Sequence, residues 1–413
     1  MGPHLICDKS SLESLNPAEL GVLRRYFTLH VPPVLLMEIL ADLTKQFKNK
    51  TPREHVVNLA NRIVPLCSTV CLSFRDLMDQ ELSGSPLSLR GVPVIAAGTP
   101  VVAADGQSGM RIEESPEETA LLRWQSGSFI EAEEMTATIW RNYIESIQLD
   151  EAQRRLRTQY PGLPRCKTLT EVAQLADAII IQAKRDDLVS WFLEDAGAPS
   201  QIIARLTNNL GRLPDGTLKA VAPYTFHCVR TALIFHLGLV NSVVGTKDTN
   251  RIDLEYLYYA PLSNGFSSGD KFLIALSVVT LSGEQLFISG DELKADMKTL
   301  ASMWDSFSPE EYQAEADRVG PPDNPQSPTY RMWQKFMKKG YRSGNRLKLS
   351  PEQERKMMEK IRPILDAAAS GQPVDLAGQD GLQFSTRIRS VRLDGPCFCG
   401  GPKTLRECHG IGL

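Results

Sequence analysis

Residues 4–10 read HLICDKS, and this stretch at the start of the chain decides the fold. The apolar run of Leu5, Ile6 and Cys7 predicts a short buried strand that ends at Asp8. The polar residues that follow favour a turn or the start of a helix. A strand that passes directly into a helix is typical of an α/β protein. Asp8 could cap that helix or bind a metal ion, and the sequence leaves both roles open.

Most of the chain beyond this strand has the periodicity of helices. Residues 91–106 instead form two β-rich runs around Gly98-Thr99, which predict a hairpin, and Leu286–Ile288 predicts another strand. Ser115-Pro116-Glu117-Glu118 is a helix start, with a capping serine, a proline and two carboxylates. The predicted helices cover residues 31–43, 53–82 with a break at Pro65, 129–158, 168–196, 199–210, 224–244, 290–304 and 350–369.

Composition sets the broad class of the protein. The 413 residues are 42% hydrophobic and 23% charged, which is ordinary for a globular protein of two or three domains, or of one large domain with insertions. The net charge of −3 excludes a polycationic field, so nucleic-acid binding would need a local basic patch. No signal peptide stands out, and the apolar run of residues 232–244 is too short to span a bilayer. We therefore predict a cytoplasmic protein without a membrane partner.

Acidic residues form the sharpest chemical pattern. Asp8 ends the first strand, Glu38 and Asp42 lie four residues apart on one helical face, and Asp253 and Asp270 follow late in the chain. Acids at strand ends of an α/β fold tend to converge at the carboxyl edge of the sheet. Carboxylates gathered there repel one another and persist together when a cation neutralises them. Oxygen ligands favour Mg²⁺ or Mn²⁺, which can promote phosphodiester hydrolysis.

Four short segments in this order resemble the motifs of PIN-like nucleases. Residues 5–10 (LICDKS) are similar to the first strand and its leading aspartate, and residues 33–43 (PVLLMEILADL) to the second motif. Residues 253–257 (DLEYL) and 266–271 (FSSGDK) resemble the third and fourth. The resemblance implies an α/β, three-layer core with a central parallel sheet. It also implies a metal-dependent endonuclease.

The same resemblance assigns roles to particular residues. Asp8, Glu38, Asp253 and Asp270 would be the catalytic ligands of Mg²⁺ or Mn²⁺. The residues that would support them are Ser10, Asp42, Ser268 and Lys271. Family members are usually compact, whereas the second and third motifs here are more than 200 positions apart. The predicted core therefore comprises residues 1–50 and 246–305, with a mostly helical insertion over 51–245.

The end of the chain carries a second motif, Cys397-Phe398-Cys399 followed by Cys408-His409. Three thiolates and an imidazole at this spacing can form a tetrahedral zinc site on a short loop. Residues 395–413 resemble the SEC-C motif, although Gly-Gly-Pro-Lys replaces its usual Gly-Ser-Gly-Lys. The resemblance implies a structural zinc module that recruits a protein or ribosomal partner. Residues 306–394 would then be a basic helical segment and linker.

Basic residues alternate with aromatic ones in that segment. Lysine and arginine neutralise phosphates, and aromatic rings stack on unpaired bases. Equally, Trp333 and Phe336 could pack inward from a solvated helix. The candidate nucleic-acid-binding residues are Arg331, Lys335, Lys338, Lys339 and Arg342.

Together these patterns predict a nuclease that depends on Mg²⁺ or Mn²⁺ and acts on RNA in preference to DNA. Proteins that join such a core to this tail resemble bacterial toxins or phage-defence effectors. Two alternatives remain open. One is a catalytically silent adaptor that binds nucleic acid or protein, and the other is a phosphohydrolase that uses the same acids on free nucleotides.

Overall fold

The computed structural model describes residues 2–63, 69–87, 89, 99–102, 108–113, 115–317, 320–337, 355 and 388–392. The predicted zinc ligands Cys397, Cys399, Cys408 and His409 lie outside these ranges. So do Lys338, Lys339 and Arg342 of the basic segment, and the break expected at Pro65.

Eight strands occur in the described residues. In chain order they are β1 (His4–Cys7), β2 (Thr28–Val31), β3 (Thr69–Val70), β4 (Thr99–Val102), β5 (Ser108–Glu113), β6 (Gly265–Ser268), β7 (Leu286–Ser289) and β8 (Ile388–Arg392).

Helices make up most of the described structure, which is therefore α/β with a predominance of helix. The first nine are α1 (Lys9–Ser14), α2 (Pro17–Tyr26), α3 (Pro33–Ala41), α4 (Pro52–Ile63), α5 (Phe74–Leu82), α6 (Pro116–Gln125), α7 (Glu131–Ser146), α8 (Leu149–Gln159) and α9 (Leu169–Gln182). The next nine are α10 (Arg185–Asp195), α11 (Ser200–Arg212), α12 (Leu218–Val221), α13 (Pro223–Val240), α14 (Asn250–Tyr259), α15 (Lys271–Thr280), α16 (Gly290–Asp305), α17 (Pro309–Asp317) and α18 (Pro328–Phe336).

A five-stranded parallel sheet in the order β3-β2-β1-β6-β7 forms the centre of the fold. β1 pairs with β2 in the register Leu5–Leu29, and with β6 in the register Ile6–Phe266. All residues of β1 and β6 are buried. The chain builds the sheet outward on one side of β1 and later on the other, so the order reverses between β1 and β6. Ligands of open α/β sheets bind outside the carboxyl ends of the strands at such a point.

The predicted strands β1 and β7 are confirmed, but β2 and β3 were missed. Val31 ends β2, so the helix expected from residue 31 begins instead at Pro33. The segment expected to be helical over 53–82 contains β3 between α4 and α5. Very short parallel strands, buried on both faces, lack the alternation by which a strand is recognised. β3 belongs to the central sheet, although it lies in a part of the chain that was predicted to belong to the insertion.

A second, antiparallel sheet has the order β4-β5-β8. β4 pairs with β5 in the register Thr99–Arg111, which agrees in kind with the expected hairpin but lies later in the sequence. β8 comes from the far end of the chain and pairs with β5 in the register Met110–Val391.

The long helix α13 connects the predicted insertion to the sheet. Most of its residues are buried, and it contacts α14 and α15, which precede and follow β6, as well as α5 and other helices within residues 51–245. Glu81 at the end of α5 binds the first turn of α13: its carboxylate accepts hydrogen bonds from the backbone N–H groups of Tyr224 (2.8 Å) and Thr225 (2.7 Å). These are amides that the helix itself leaves unsatisfied. None of the helices in the described ranges is long and apolar enough to cross a membrane.

Candidate active site

Asp8 lies at the carboxyl end of β1 and is 4% exposed. One oxygen, Oδ1, accepts a hydrogen bond from the Ser11 backbone N–H at 2.8 Å, so Asp8 caps α1. The other, Oδ2, accepts hydrogen bonds from the hydroxyls of Ser10 at 2.8 Å and Ser268 at 2.7 Å. Both predicted supporting hydroxyls therefore contact Asp8 and fix its orientation. Oδ2 thus accepts two hydrogen bonds and Oδ1 one, which leaves one lone-pair site, on Oδ1, available to a cation.

Asp270 lies at the carboxyl end of β6, the strand next to β1. It caps α15 by accepting a hydrogen bond from the Phe272 backbone N–H at 2.7 Å. Its own backbone N–H donates to the Ser268 hydroxyl at 3.0 Å, and that hydroxyl in turn donates to Asp8. Ser268 thus links the two aspartates. The exposed Nζ of Lys247 lies 3.5 Å from Asp270 Oδ2.

Glu38 reaches the same region from α3. Its Oε2 accepts a hydrogen bond from the buried Tyr256 hydroxyl on α14. Burial raises the pKa of Glu38, and the nearby Asp8 charge adds to this effect, whereas Tyr256 and Lys9 oppose it. Burial and Glu38 itself keep the pKa of Tyr256 far above its ordinary value, so the phenol stays protonated as a donor.

Asp253 lies one turn before Tyr256 on α14 and is the least satisfied of the four acids. Its Oδ2 is buried and has no hydrogen-bond partner in the described residues. Burial raises the pKa of Asp253 to about 8, and the charges of Glu38, Asp270 and Asp8 contribute, against the opposing effect of Lys247. Asp253 is not the cap of its helix, because Thr249 occupies the N-cap position of α14.

The four acids predicted as ligands lie at two strand ends and on two helices, close enough for their charges to interact, but no three of them place ligand atoms within 4.8 Å of one another in the described residues. Their charges act on one another: Asp253 is influenced by the other three. For Asp8 the two roles considered from sequence coexist, since it caps α1 while facing these acids, and Asp270 likewise caps α15. We call Asp8, Glu38, Asp253 and Asp270 the acid cluster.

Close packing of the backbone holds the turn that carries Asp270. A Cβ atom on Gly290, the first residue of α16, would lie 2.9 Å from the Gly269 backbone nitrogen. Such a contact is too short for any side chain, so glycine at position 290 allows α16 to approach the β6–α15 turn.

Asp42, predicted to support the cluster, faces a different set of partners. It is fully buried and forms ion pairs with Lys9 and Lys45, while His55 Nε2 lies 3.0 Å from its Oδ2. Burial acts to raise the pKa of Asp42, but Lys9 and Lys45 outweigh it and hold the pKa below its usual value. Lys9 also donates to the Glu38 carbonyl oxygen at 3.4 Å. Asp42 thus positions an ammonium group beside the acid cluster.

Glu13, Asp42 and His55 could together offer three ligand atoms to a metal ion, all within 4.8 Å of one another. Lys9 and Lys45 already neutralise Asp42, however, and would repel a divalent cation. Those ammonium groups disfavour a divalent cation here, although among the described residues it is this group, and not the acid cluster, whose ligand atoms lie within 4.8 Å of one another. Lys9, Lys45 and Tyr256 had no assigned role in the sequence analysis. For Lys9 a signal was available in the sequence, because it directly follows an aspartate at the end of a buried strand and a buried lysine needs a counter-ion.

The remaining candidate residues that the structure describes make no contact with the acid cluster that would assign them a role. Lys271 begins α15 with an exposed side chain. Arg331 and Lys335 are exposed on α18, where Lys335 Nζ donates to the Gly283 carbonyl oxygen at 2.8 Å. Gly283 precedes β7, so this part of α18 lies by the amino edge of the sheet, opposite the acids.

Aromatic residues of α18 pack inward, which agrees with the sequence interpretation of a solvated helix rather than with that of a base-stacking surface. Trp333 is 3% exposed and donates from Nε1 to the Tyr26 carbonyl oxygen at 2.9 Å. Phe336 is partly buried against the core. Neither ring is presented on the surface as a stacking platform.

Comparison of the chain with protein-family models, curated proteins and solved structures finds no match.

Proposed function

We propose that the protein is a metal-dependent phosphodiesterase of the PIN-like nuclease class, with RNA favoured over DNA as its substrate. The observation that carries the proposal is the buried, unpartnered Oδ2 of Asp253 among three further carboxylates. The position of the cluster at the carboxyl edge, where the strand order reverses, supports the same conclusion.

The acid cluster has the donor chemistry for a hard divalent cation, although its carboxylates would have to move closer together to share one. Its donors are all carboxylate oxygens, the ligand type that Mg²⁺ and Mn²⁺ prefer. Neutralising them would remove the repulsion that raises the pKa of Asp253. Asp8, Glu38, Asp253 and Asp270 would hold the cation. When bound, it supplies Lewis-acid polarisation of a phosphoryl oxygen and lowers the pKa of a coordinated water molecule.

The residues around the cluster would preorganise it. Ser10 and Ser268 hold Asp8 in one orientation, and the Tyr256 hydroxyl does the same for Glu38. Lys9 stays beside Glu38 because Asp42 anchors its ammonium. Fixed donors of this kind spare the reaction the cost of reorganising the site.

Cleavage assays test the proposal. Labelled RNA and single-stranded DNA should be cut in Mn²⁺ or Mg²⁺ and left intact in EDTA. Asp8→Asn and Asp270→Asn should each reduce the rate by about 100-fold or more, because a ligand and a charge are lost together. Asp291→Asn, at an exposed site on α16, is the matched control and should cut like wild type.

Equal cleavage by Asp8→Asn and wild type would rule out the acid cluster as the site. A folded wild type that cuts nothing with any divalent cation would favour the silent adaptor. Hydrolysis of free nucleotides alone would favour the phosphohydrolase.

The affinity for Mn²⁺ should depend on pH. Asp253, with a pKa raised to about 8, holds a proton at neutral pH in the metal-free protein. Binding must release that proton, so the affinity should rise about tenfold per pH unit between about pH 6 and 8, then level off. Calorimetry in buffers of different ionisation enthalpy should detect release of about one proton at pH 7. An affinity that stays constant over this range would contradict the assignment of Asp253 as a ligand.

The cysteine-histidine tail keeps its proposed role as an accessory zinc module that recruits a partner. Its ligands Cys397, Cys399, Cys408 and His409 contain the thiolate and imidazole groups that zinc prefers. The tail contributes none of the acids proposed for hydrolysis.

A further inference from the structure

A groove of about 540 Å³ opens beside Asp270 and leads away from the acid cluster. One wall is α15, from Lys271 to Leu276. The opposite wall comes from the helical insertion, through Leu169 at the start of α9 and residues 243–245 after α13. The insertion therefore shapes the space next to the acids. We call this space the insertion groove.

The chemistry of the insertion groove differs from that of the acid cluster. Its floor and walls are largely apolar, with Val244, Phe272 and Ala275 among the lining residues. Two lysines, Lys247 and Lys271, stand on its rim with exposed side chains. Asp270, at the end next to the acids, is the one acidic residue in its lining as far as the structure describes it.

Lys247 connects the groove with the acids electrostatically. Its Nζ lies 3.5 Å from Asp270 Oδ2, and its charge acts to lower the pKa of Asp253. The side chain is 63% exposed, so this ion pair contributes little to folding. The ammonium can turn toward an anionic ligand at small cost.

We propose that the insertion groove binds the nucleotide next to the scissile phosphate of a single-stranded substrate. This proposal rests on the proposed function. The rim lysines match the phosphates of the substrate backbone, and the apolar interior matches an unpaired base. A base can enter only if it is not paired in a duplex. The insertion, which interrupts the motifs in sequence, thereby becomes the element that selects the substrate.

Binding measured in Ca²⁺ tests the groove separately from hydrolysis. Fluorescence anisotropy with labelled single-stranded RNA and DNA of graded length should show tighter binding as the strand lengthens. Lys247→Gln should reduce the slope of log K against log salt by about 0.7, the value for one lost phosphate contact on a single strand. Ala275→Trp, at an exposed helix position, should fill the groove and weaken binding about tenfold, as expected when base stacking is lost.

Lys298→Gln, an exposed lysine on α16, is the matched control and should leave the salt slope unchanged. The proposal would be overturned if both groove variants kept the salt slope and affinity of the wild type. It would also be overturned if a duplex bound as tightly as a single strand. Hydrolysis of bis(p-nitrophenyl) phosphate, which needs the acids alone, should be unaffected by Lys298→Gln. If the wild type does not hydrolyse bis(p-nitrophenyl) phosphate, the proposed function is refuted. The binding measured in Ca²⁺ would still show whether the insertion groove binds a single strand.

Discussion

Asp253→Asn is expected to stabilise the metal-free protein while abolishing its metal-dependent cleavage. The wild-type carboxylate is buried, lacks a partner on Oδ2 and is repelled by Glu38, Asp270 and Asp8. Above about pH 8, where Asp253 is ionised, removing its charge should raise the stability in EDTA by about 1 kcal/mol or more, since like charges at an effective dielectric near 20 repel on this scale. Cleavage in Mn²⁺ should fall about 100-fold or more.

The stabilisation should depend on pH in a defined direction. The pKa of Asp253 is raised from 3.8 to about 8 in the folded protein, so the unfolded chain loses its proton at lower pH. Folding of the wild type therefore weakens as pH rises from about 4 to about 8. The advantage of Asp253→Asn should be small below about pH 4 and reach its maximum above about pH 8.

Urea denaturation in EDTA at several pH values measures this difference, with Asp291→Asn as the control for loss of an exposed carboxylate. A variant that is less stable than wild type at pH 8 would show that the acid cluster is not repulsive. A variant that still cuts at the wild-type rate would show that Asp253 is not a ligand.

Asp42→Asn is expected to destabilise the fold by about 3 kcal/mol, the scale seen when one partner of a buried ion pair is removed. Asp42 is fully buried and forms ion pairs with Lys9, Lys45 and His55, and Arg141 lies 3.9 Å from its Oδ1. Lys9, with a side chain 12% exposed, would lose its counter-ion. Denaturant unfolding in EDTA measures the loss without any contribution from metal binding.

Glu13→Gln provides the matched control for Asp42→Asn. Its carboxylate lies 3.3 Å from His55 Nε2 but is 38% exposed, so its removal should cost less than about 1 kcal/mol. Adding Lys9→Met to Asp42→Asn should recover part of the stability, because the unpaired ammonium is then gone. Equal stabilities for Asp42→Asn and wild type would mean that the ion pairs of Asp42 contribute nothing.

Local sequence was sufficient for the elements with a strong local signal. β1 follows from Leu5, Ile6 and Cys7, and the capping serine at Ser115 marks the start of α6, where the structure has a full capping box. β2 and β3 carry too few residues to show a period, so only their pairing with β1 and with each other defines them. Their hydrogen bonds come from strands distant in the sequence, which no local pattern contains.

The candidate site divides in the same way. The sequence named Asp8, Glu38, Asp253 and Asp270 by a resemblance of short segments, and it named Ser10 and Ser268 as their supports. It gave no basis for the Tyr256–Glu38 hydrogen bond, which joins residues 218 positions apart. It placed Asp42 with the cluster because Glu38 and Asp42 share a helical spacing. In the structure Asp42 is surrounded by cations instead.

The sequence by itself determined where strands and helices carry acids, and which of those acids could cap a helix. Capping and periodicity depend on neighbours within a few residues. The tertiary structure alone decided that the charges of the four acids act on one another, that Asp253 Oδ2 has no partner in the described residues and that Lys9 is anchored by Asp42. Coulomb energy depends on distance and desolvation on burial, and the folded chain sets both by packing segments more than 200 positions apart.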